Sequence, residues 1–323
     1  MLFFFFSRLM WAPRFDHNWG FSIPTPQLQP LGGWSVSQTG ADWLGLDNCA
    51  WGSHIYYESV RHFHQATDPT ARTLSLTKFA PPDWVPGFPS TWHQESPGQH
   101  RYPVWWTGDG VSLQGSVESM VDTGLFDLKP YVHSDCGADW RGSDGDFMRW
   151  VAHCTFGTIL RIHGADHRPW TYASHTVDVV RNYLNLRYQL LPSLIAGGQS
   201  AVFTGFPIVA RGDFFWPEHP EASSNDQYIH LNDTLVAPIW DSMLNGSTRS
   251  VWVPPGQWQD QWSGDVVSGP GFVSTTQPWE RIPLWTRRGA LLVMAPRGLQ
   301  RVRLTLSNII ITYCIPAFYL LFF

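Results

Sequence analysis

The 323-residue sequence is short of the groups that build the simplest kinds of site. Its four cysteines, Cys49, Cys136, Cys154 and Cys314, are widely spaced and form no Cys-x-x-Cys pair. That weighs against a disulfide scaffold and against a thiolate zinc site. Basic charge is also scarce: 21 Lys and Arg stand against 26 Asp and Glu, a formal net charge of −5. The chain therefore has no electrostatic footprint for nucleic acid and no polybasic patch for a membrane surface. It has no internal repeat and no low-complexity linker. The opening MLFFFFSRLM has a very short apolar run with no charged region ahead of it, a poor signal peptide. The tail from Leu304 to Phe323 has about the length of a membrane span, but Ser307, Asn308, Thr312 and Pro316 interrupt it. A buried strand or a mis-predicted gene end fits it better, so a membrane partner is not expected.

What the chain does have is aromatic surface. Phe, Trp and Tyr make up 15% of it, with 19 tryptophans, which implies extensive ring packing and flat apolar faces for a ligand. The length suits one large domain or two ordinary ones. Two triplets, Asn232-Asp233-Thr234 and Asn245-Gly246-Ser247, are glycosylation sequons that would suit a secreted chain. Such triplets also arise by chance, and the compartment stays open.

Between about residues 40 and 200, short β-like runs alternate with segments of helical period. The strand candidates are Asp42–Asp47, Thr73–Thr77, Pro103–Trp106, Tyr131–Asp135 and Ile159–His163. A helix is expected over 144–156, with Phe147, Trp150, Val151 and Cys154 on one face. A longer one follows, in which Val177, Val180, Leu184, Tyr188 and Leu191 share a face. Alternating strands and helices imply a parallel sheet in an α/β fold. Near Gly197-Gly198 the pattern changes to short strands, Leu235–Ile239, Ser250–Val253 and Ala290–Val293. Turn signals at 254–256, 263–265 and 269–271 separate them, which reads as an all-β module. Residues 80–100 look like a long irregular loop.

Four of the five strand candidates carry a polar group at or just beyond their C-terminal end: Asp47, Asp109, Asp135, and Arg161 with His163. In a closed β/α barrel those ends converge on one face, where active sites sit. Three carboxylates, a cation and an imidazole would meet there among tryptophans. Paired carboxylates in an aromatic pocket are what glycoside hydrolysis requires. Burial against rings such as Trp105 and Trp106 would raise the pKa of the acid. The local reading of each group is blander. Asp109 in Thr-Gly-Asp-Gly could simply finish a turn, His163 could be a packed core histidine, and Asp144 to Asp146 read as a helix N-cap region. The pairs His62/His64 and His163/His167 have spacings that zinc can use. With 13 histidines, chance accounts for both, and no metal is expected.

The runs WWTGDG, HSDCGADWRGSDGDFMRW, FGTILRIHG and RPW, in that order, resemble glycoside hydrolase family 31, the α-glucosidase and α-xylosidase group. Downstream, LRYQLLPSL, GFPIVARGDFFWPEHPEA, DQY, LVAPI, VWVPPGQWQDQWSG and IPLWTRRGA resemble the family's barrel end and the β-domain after it. The likeness covers roughly residues 40 to 296. It implies a (β/α)8 barrel followed by an all-β, sandwich-like domain, and retaining hydrolysis of α-linked glycosides without a cofactor. Carried over, Asp109 matches the general acid/base of the TGD motif and Asp47 the nucleophile. Asp135 matches the aspartate of SHDIGG, which grips sugar hydroxyls. Arg161 and His163 match the R-x-H pair lining the subsite, and Trp106 an aromatic wall of it. Three departures accompany the likeness. Some 40 residues precede Asp47, too few for three strand–helix units, so the barrel is expected to lack its first strands. Ser75-Leu76-Thr77 stands where the family often has Ser-Arg, and Ala138-Asp139 replaces the second glycine and the residue after it. The expected layout is an irregular segment at 1–34, a partial barrel at 35–199, a β-domain at 200–298 and an apolar tail at 299–323. The alternative is a truncated, inactive sugar-binding remnant. Transglycosylation is a variant that sequence leaves open.

Overall fold

The computed structural model describes residues 62, 66–67, 76–77, 104–107, 111–126, 130–138, 141–164, 166–240, 245–297 and 310–313. Contacts divide the chain into two compact units, Met1–Asp109 and Gly110–Phe323. In the first, β1 (Leu76–Thr77) and β2 (Val104–Trp106) pair in parallel, Leu76 opposite Val104 and Thr77 opposite Trp105. The Asp42–Asp47 strand candidate and the loop at 80–100 lie outside the described residues.

The second unit opens with α1 (Leu113–Phe126), which the hydrophobic pattern did not single out. Gly115 and Gly124 are poor helix formers and dilute the signal. The helix forms because Ser112 caps it, its hydroxyl accepting the Gly115 N–H at 3.0 Å, and because Leu113, Val117, Met120 and Val121 bury one stripe. Next come β3 (Tyr131–His133) and α2 (Asp144–Phe156). The helix has the expected bounds, and its four expected core residues are buried. A capping box starts it: Ser143 Oγ accepts from the Asp146 N–H, and the Asp146 carboxylate accepts from the Ser143 N–H. Asp144 reaches instead to the next helix, accepting from the Ala173 N–H and the Thr176 hydroxyl.

The fifth strand candidate, Ile159–His163, shrinks to one parallel bridge between Cys136 and Ile162. Thr158 is the reason. Its hydroxyl accepts the Val132 N–H at 2.7 Å and donates to the Val132 carbonyl at 2.6 Å. One side chain thus takes the two backbone groups that a longer ladder would have used.

Helix α3 (Ser174–Thr204) ends on Gly205 in the left-handed conformation. It runs straight through Gly197-Gly198, so the pattern change expected there falls at the helix end instead. Those glycines serve close packing: a Cβ at Gly198 would lie 2.2 Å from the Tyr131 hydroxyl, and one at Gly197 2.8 Å from Leu231. The buried stripe is also displaced from the one expected. Thr176, Val180, Tyr183, Leu190 and Leu194 are buried, while Val177, Leu184, Tyr188 and Leu191 are half-buried. Arg187 ties α3 to the end of α2, donating to the carbonyls of Thr155, Gly157 and Thr158. This cation at a helix C-terminus satisfies carbonyls that have no helical donor.

The remainder is one six-stranded antiparallel sheet in the order β4-β5-β6-β9-β7-β8. Its strands are β4 (Val209–Ala210), β5 (Tyr228–His230), β6 (Thr234–Val236), β7 (Ser247–Asp260), β8 (Val266–Gln277) and β9 (Leu284–Arg287). This is the expected all-β module, seen among the described residues as one antiparallel sheet. Trp216, just past the 3-10 turn at 212–214, and Ala222, in the one at 220–223, pack in one core with Trp252, Trp258, Trp285, Ile229 and Leu235. Four of the 19 tryptophans serve this core. Two of the three turn signals are also corrected. Pro254–Gly256 and Gly269–Gly271 face each other within the β7–β8 hairpin, at a register shift between Val253 and Gly256. Prolines cannot donate to a ladder, so the pair bulges where they meet and continues beyond. Only Ser263–Asp265 sits at a chain reversal, where Asp260 Oδ1 accepts the N–H groups of Trp262 and Ser263. Finally, β10 (Leu291–Met294) pairs antiparallel with β11 (Ile310–Tyr313), the described part of the apolar tail. No helix among the described residues is long and apolar enough to cross a membrane.

Candidate functional site

Strand β3 delivers Asp135 two residues beyond His133, so both side chains leave the same face of the extended backbone. The backbone of Cys136 then registers the opposite segment. Its N–H donates to the Arg161 carbonyl at 3.1 Å, and its carbonyl accepts the His163 N–H at 3.3 Å. Arg161 and His163 thus flank Ile162 on one face and close on Asp135. Asp135 Oδ1 lies 3.1 Å from His133 Nε2 and 3.2 Å from Arg161 Nη1, and Oδ2 lies 3.5 Å from His163 Nδ1. Burial decides who faces outward: Asp135 is 2% exposed and His133 fully enclosed, whereas the Arg161 and His163 side chains are 31% and 23% exposed.

Electrostatics keeps Asp135 ionised. Burial alone would raise its carboxyl, but the His133 hydrogen bond, the Arg161 guanidinium and the two imidazoles outweigh it and hold it below the ordinary carboxylate value. His133 moves down as well, chiefly because burial disfavours its charge, with Arg161 adding to the effect and Asp135 opposing it. At neutral pH the group is a buried carboxylate, a neutral imidazole and a guanidinium. The carboxylate is turned inward, to hold Arg161 and His163.

The turn after Asp135 depends on backbone conformation. Gly137 has φ 105°, and a Cβ there would meet the His167 ring at 3.0 Å. Ala138, where the resembling family has glycine, keeps a left-handed φ of 60°. His167 is buried and hydrogen-bonds the Tyr172 hydroxyl at 2.9 Å, so the His163/His167 pair is split between different partners. The Cys136 thiol is pushed well up, by burial first and then by Cys154, and is core rather than nucleophile.

Of the expected site residues, the structure brings together Asp135, Arg161 and His163. Trp106 lies on β2 in the first unit; it is buried, and its indole N–H has no hydrogen-bond partner among the described residues. Asp47 and Asp109 lie outside the described residues. His133 was missed. The available signal was its place two residues before a motif aspartate on a strand.

Two other features resemble sites. Ser116 Oγ lies 3.1 Å from His153 Nε2, whose Nδ1 lies 3.2 Å from the Tyr228 hydroxyl. All three are buried and His153 is pushed down to about 3 by burial, so this neutral chain knits α1, α2 and β5 together. A cavity of about 380 Å³ is lined by Ser112, Gln114, Asp146, Arg149, Trp150 and Trp240 among others. None of the Asp135 group lines it.

Residues 93–196 match the family model described as the glycosyl hydrolases family 31 TIM-barrel domain. Residues 205–292 match the glycosyl hydrolase family 31 C-terminal domain. Together these matches cover more than half of the chain. An alpha-glucosidase 2 from Bacillus thermoamyloliquefaciens is 28% identical over 208 residues, 61% of this chain and 26% of the relative. An alpha-xylosidase from Saccharolobus solfataricus is 26% identical over 209 residues, 60% of this chain and 28% of the relative. The chain thus spans little more than a quarter of the length of these curated relatives. Among solved structures, a cycloalternan-degrading enzyme from Trueperella pyogenes in complex with a covalent intermediate aligns with TM-score 0.55 and 26% identity, over 60% of this chain and 29% of that one.

Proposed function

Because the chain belongs to glycosyl hydrolase family 31, we propose that it acts as a retaining α-glycosidase of the α-glucosidase or α-xylosidase kind. In this reading, residues from about 35 to the end of α3 contribute strand–helix units of a barrel, and the sheet from β4 onward is the C-terminal domain. Asp47 attacks the anomeric carbon while Asp109 protonates the departing glycosidic oxygen. The first bond to oxygen breaks as the bond to Asp47 forms. Asp109, now a carboxylate, then takes a proton from water, which displaces Asp47 and releases the sugar with its configuration retained.

Trp106 forms one wall of the subsite. Arg161 and His163 hold hydroxyls, and their hydrogen bonds strengthen as charge develops at the ring in the oxocarbenium-like state. Asp135 belongs to the same subsite and acts from beneath, keeping both side chains aimed. The observation that carries the reading is this arrangement: one enclosed carboxylate with a guanidinium and an imidazole mounted on it and partly exposed.

The test is turnover of aryl α-glucosides and α-xylosides, with the first-formed anomer read by proton NMR. The reading expects the α-anomer first. It also expects Asp109→Asn to lower kcat/KM for a poor leaving group by roughly 10²–10⁴-fold, the usual worth of general acid–base assistance. Initial release of the β-anomer, or no turnover of any α-glycoside, contradicts it.

A further inference from the structure

We propose that His133 is a positioning residue of this sugar site: its neutral imidazole donates Nε2–H to Asp135 Oδ1 and so fixes the carboxylate on which Arg161 and His163 are mounted. The proposal rests on the glycosidase reading of those two side chains.

The geometry allows few alternatives. His133 Nε2 lies 3.1 Å from Asp135 Oδ1 and also 3.1 Å from Arg161 Nη1. A guanidinium has only hydrogens to offer, and an ionised carboxylate only lone pairs. A proton on Nε2 therefore goes to Asp135, and a bare Nε2 would accept from Arg161. His133 Nδ1 is enclosed and has no hydrogen-bond partner among the described residues. Moving the proton to Nδ1 would bury an unpaired donor and take from Asp135 the bond that His133 gives it. Protonating both nitrogens would bury a second cation against Arg161 and still leave Nδ1–H unpaired. The neutral Nε2–H form is the one that fits.

This assignment gives His133 work that packing alone does not supply. The titratable groups facing Asp135 among the described residues are His133 on β3, and Arg161 and His163 on the segment opposite. Arg161 shares Oδ1 with His133, and His163 approaches Oδ2. Without the imidazole donor, Oδ1 keeps only Arg161, whose side chain is partly exposed, and Asp135 is free to turn or to take a proton.

The experiment uses the full chain. Histidine side-chain ¹⁵N NMR should find His133 neutral at pH 7 with the proton on Nε2, still untitrated below the ordinary histidine range. A proton on Nδ1, or titration alongside exposed histidines, overturns the proposal. Two variants add an independent arm: His133→Gln, whose amide can still donate, and His133→Phe, which cannot. The Asp135 carboxyl, followed by ¹³C NMR, should titrate at higher pH in His133→Phe and stay near its original position in His133→Gln. Identical titration in all three chains overturns the proposal. On an aryl α-glucoside, His133→Phe should lose about tenfold or more in kcat/KM with its acid limb moved up, and His133→Gln should recover most of that. If His133→Phe does not fold, the tautomer and the glutamine variant still decide. If the NMR results hold and no α-glycoside is turned over, the glycosidase reading fails and the positioning of Asp135 stands.

Discussion

Ala138 is the residue at which the chain's departure from the family pattern has a direct energetic meaning. Its φ of 60° is a left-handed conformation that glycine adopts freely and alanine does not. Replacing it with glycine should stabilise the protein by roughly 0.5–1 kcal/mol, the strain relieved less the greater freedom of glycine in the unfolded chain. Urea denaturation at pH 7 checks this; an unchanged or lower midpoint would contradict it. At this scale the sequence was informative about chemistry and weak about neighbours. Asp135, Arg161 and His163 were legible because they end strand candidates and recur in ordered motifs. His133 was not, since its importance comes from a 3.1 Å approach to Asp135 along the same face and from the absence of another partner for Nδ1 among the described residues. The inward direction of Asp135 was equally hidden, because burial of a strand-end carboxylate depends on what folds over it.

At the scale of elements, Arg187 is the clearest prediction. Its guanidinium is enclosed and holds three carbonyls at the end of α2 and in the segment leading to Arg161. Burial lowers its pKa to about 10, which still leaves it charged at neutral pH. Arg187→Met should cost about 3 kcal/mol, because it leaves buried carbonyls unpaired. It should also loosen Arg161, so the affinity for a glycoside should fall along with the denaturation midpoint. A loss below about 1 kcal/mol would mean that water replaces the guanidinium. The bounds and apolar face of helix α2 were readable, since its apolar period is a local signal, although its cap at Ser143 lies one residue ahead of the region expected for it. The misread elements depend on distant partners. Thr158 ends the fifth strand through a hydroxyl bonded to Val132, and the Pro254 and Pro270 segments make a bulge only because they face each other. Helix α1 is built from a capped, glycine-containing run whose apolar stripe is decided by burial.

For the whole molecule, buried histidines set the pH dependence of stability. His153 and His230 are each pushed down to about 3 by burial, with Arg187 adding to the effect at His230. In the unfolded chain they titrate near the ordinary value of 6.5. Below that value the unfolded state takes up protons that the folded state refuses, so stability is full above it and falls as the pH drops. Each histidine should cost about 2 kcal/mol at pH 5 relative to pH 8. His133 and His167, also lowered by burial, act in the same direction. Asp122 and Asp233, raised by burial, oppose the trend nearer the carboxylate range. Urea midpoints at pH 8, 6.5 and 5 should decline in that order, and a midpoint that rises toward pH 5 would contradict the account. The shift from helices to strands after α3 was legible from the change of pattern along the chain. The part that Trp216 and Ala222 take in the core of the sheet was not, because residues in and beside turns carry no periodic signal.

The central claim is that Asp47 and Asp109 carry out a double displacement on an α-glycoside. Its most direct measurement is the mass of the intact chain after incubation with a 5-fluoro-α-glycosyl fluoride, which slows release of a covalent sugar, followed by mapping of the labelled peptide. The account predicts one added fluorosugar, attached to Asp47, whose loss by hydrolysis is slowed by Asp109→Ala. Turnover without any covalent adduct, or a label on a residue other than Asp47, would contradict it.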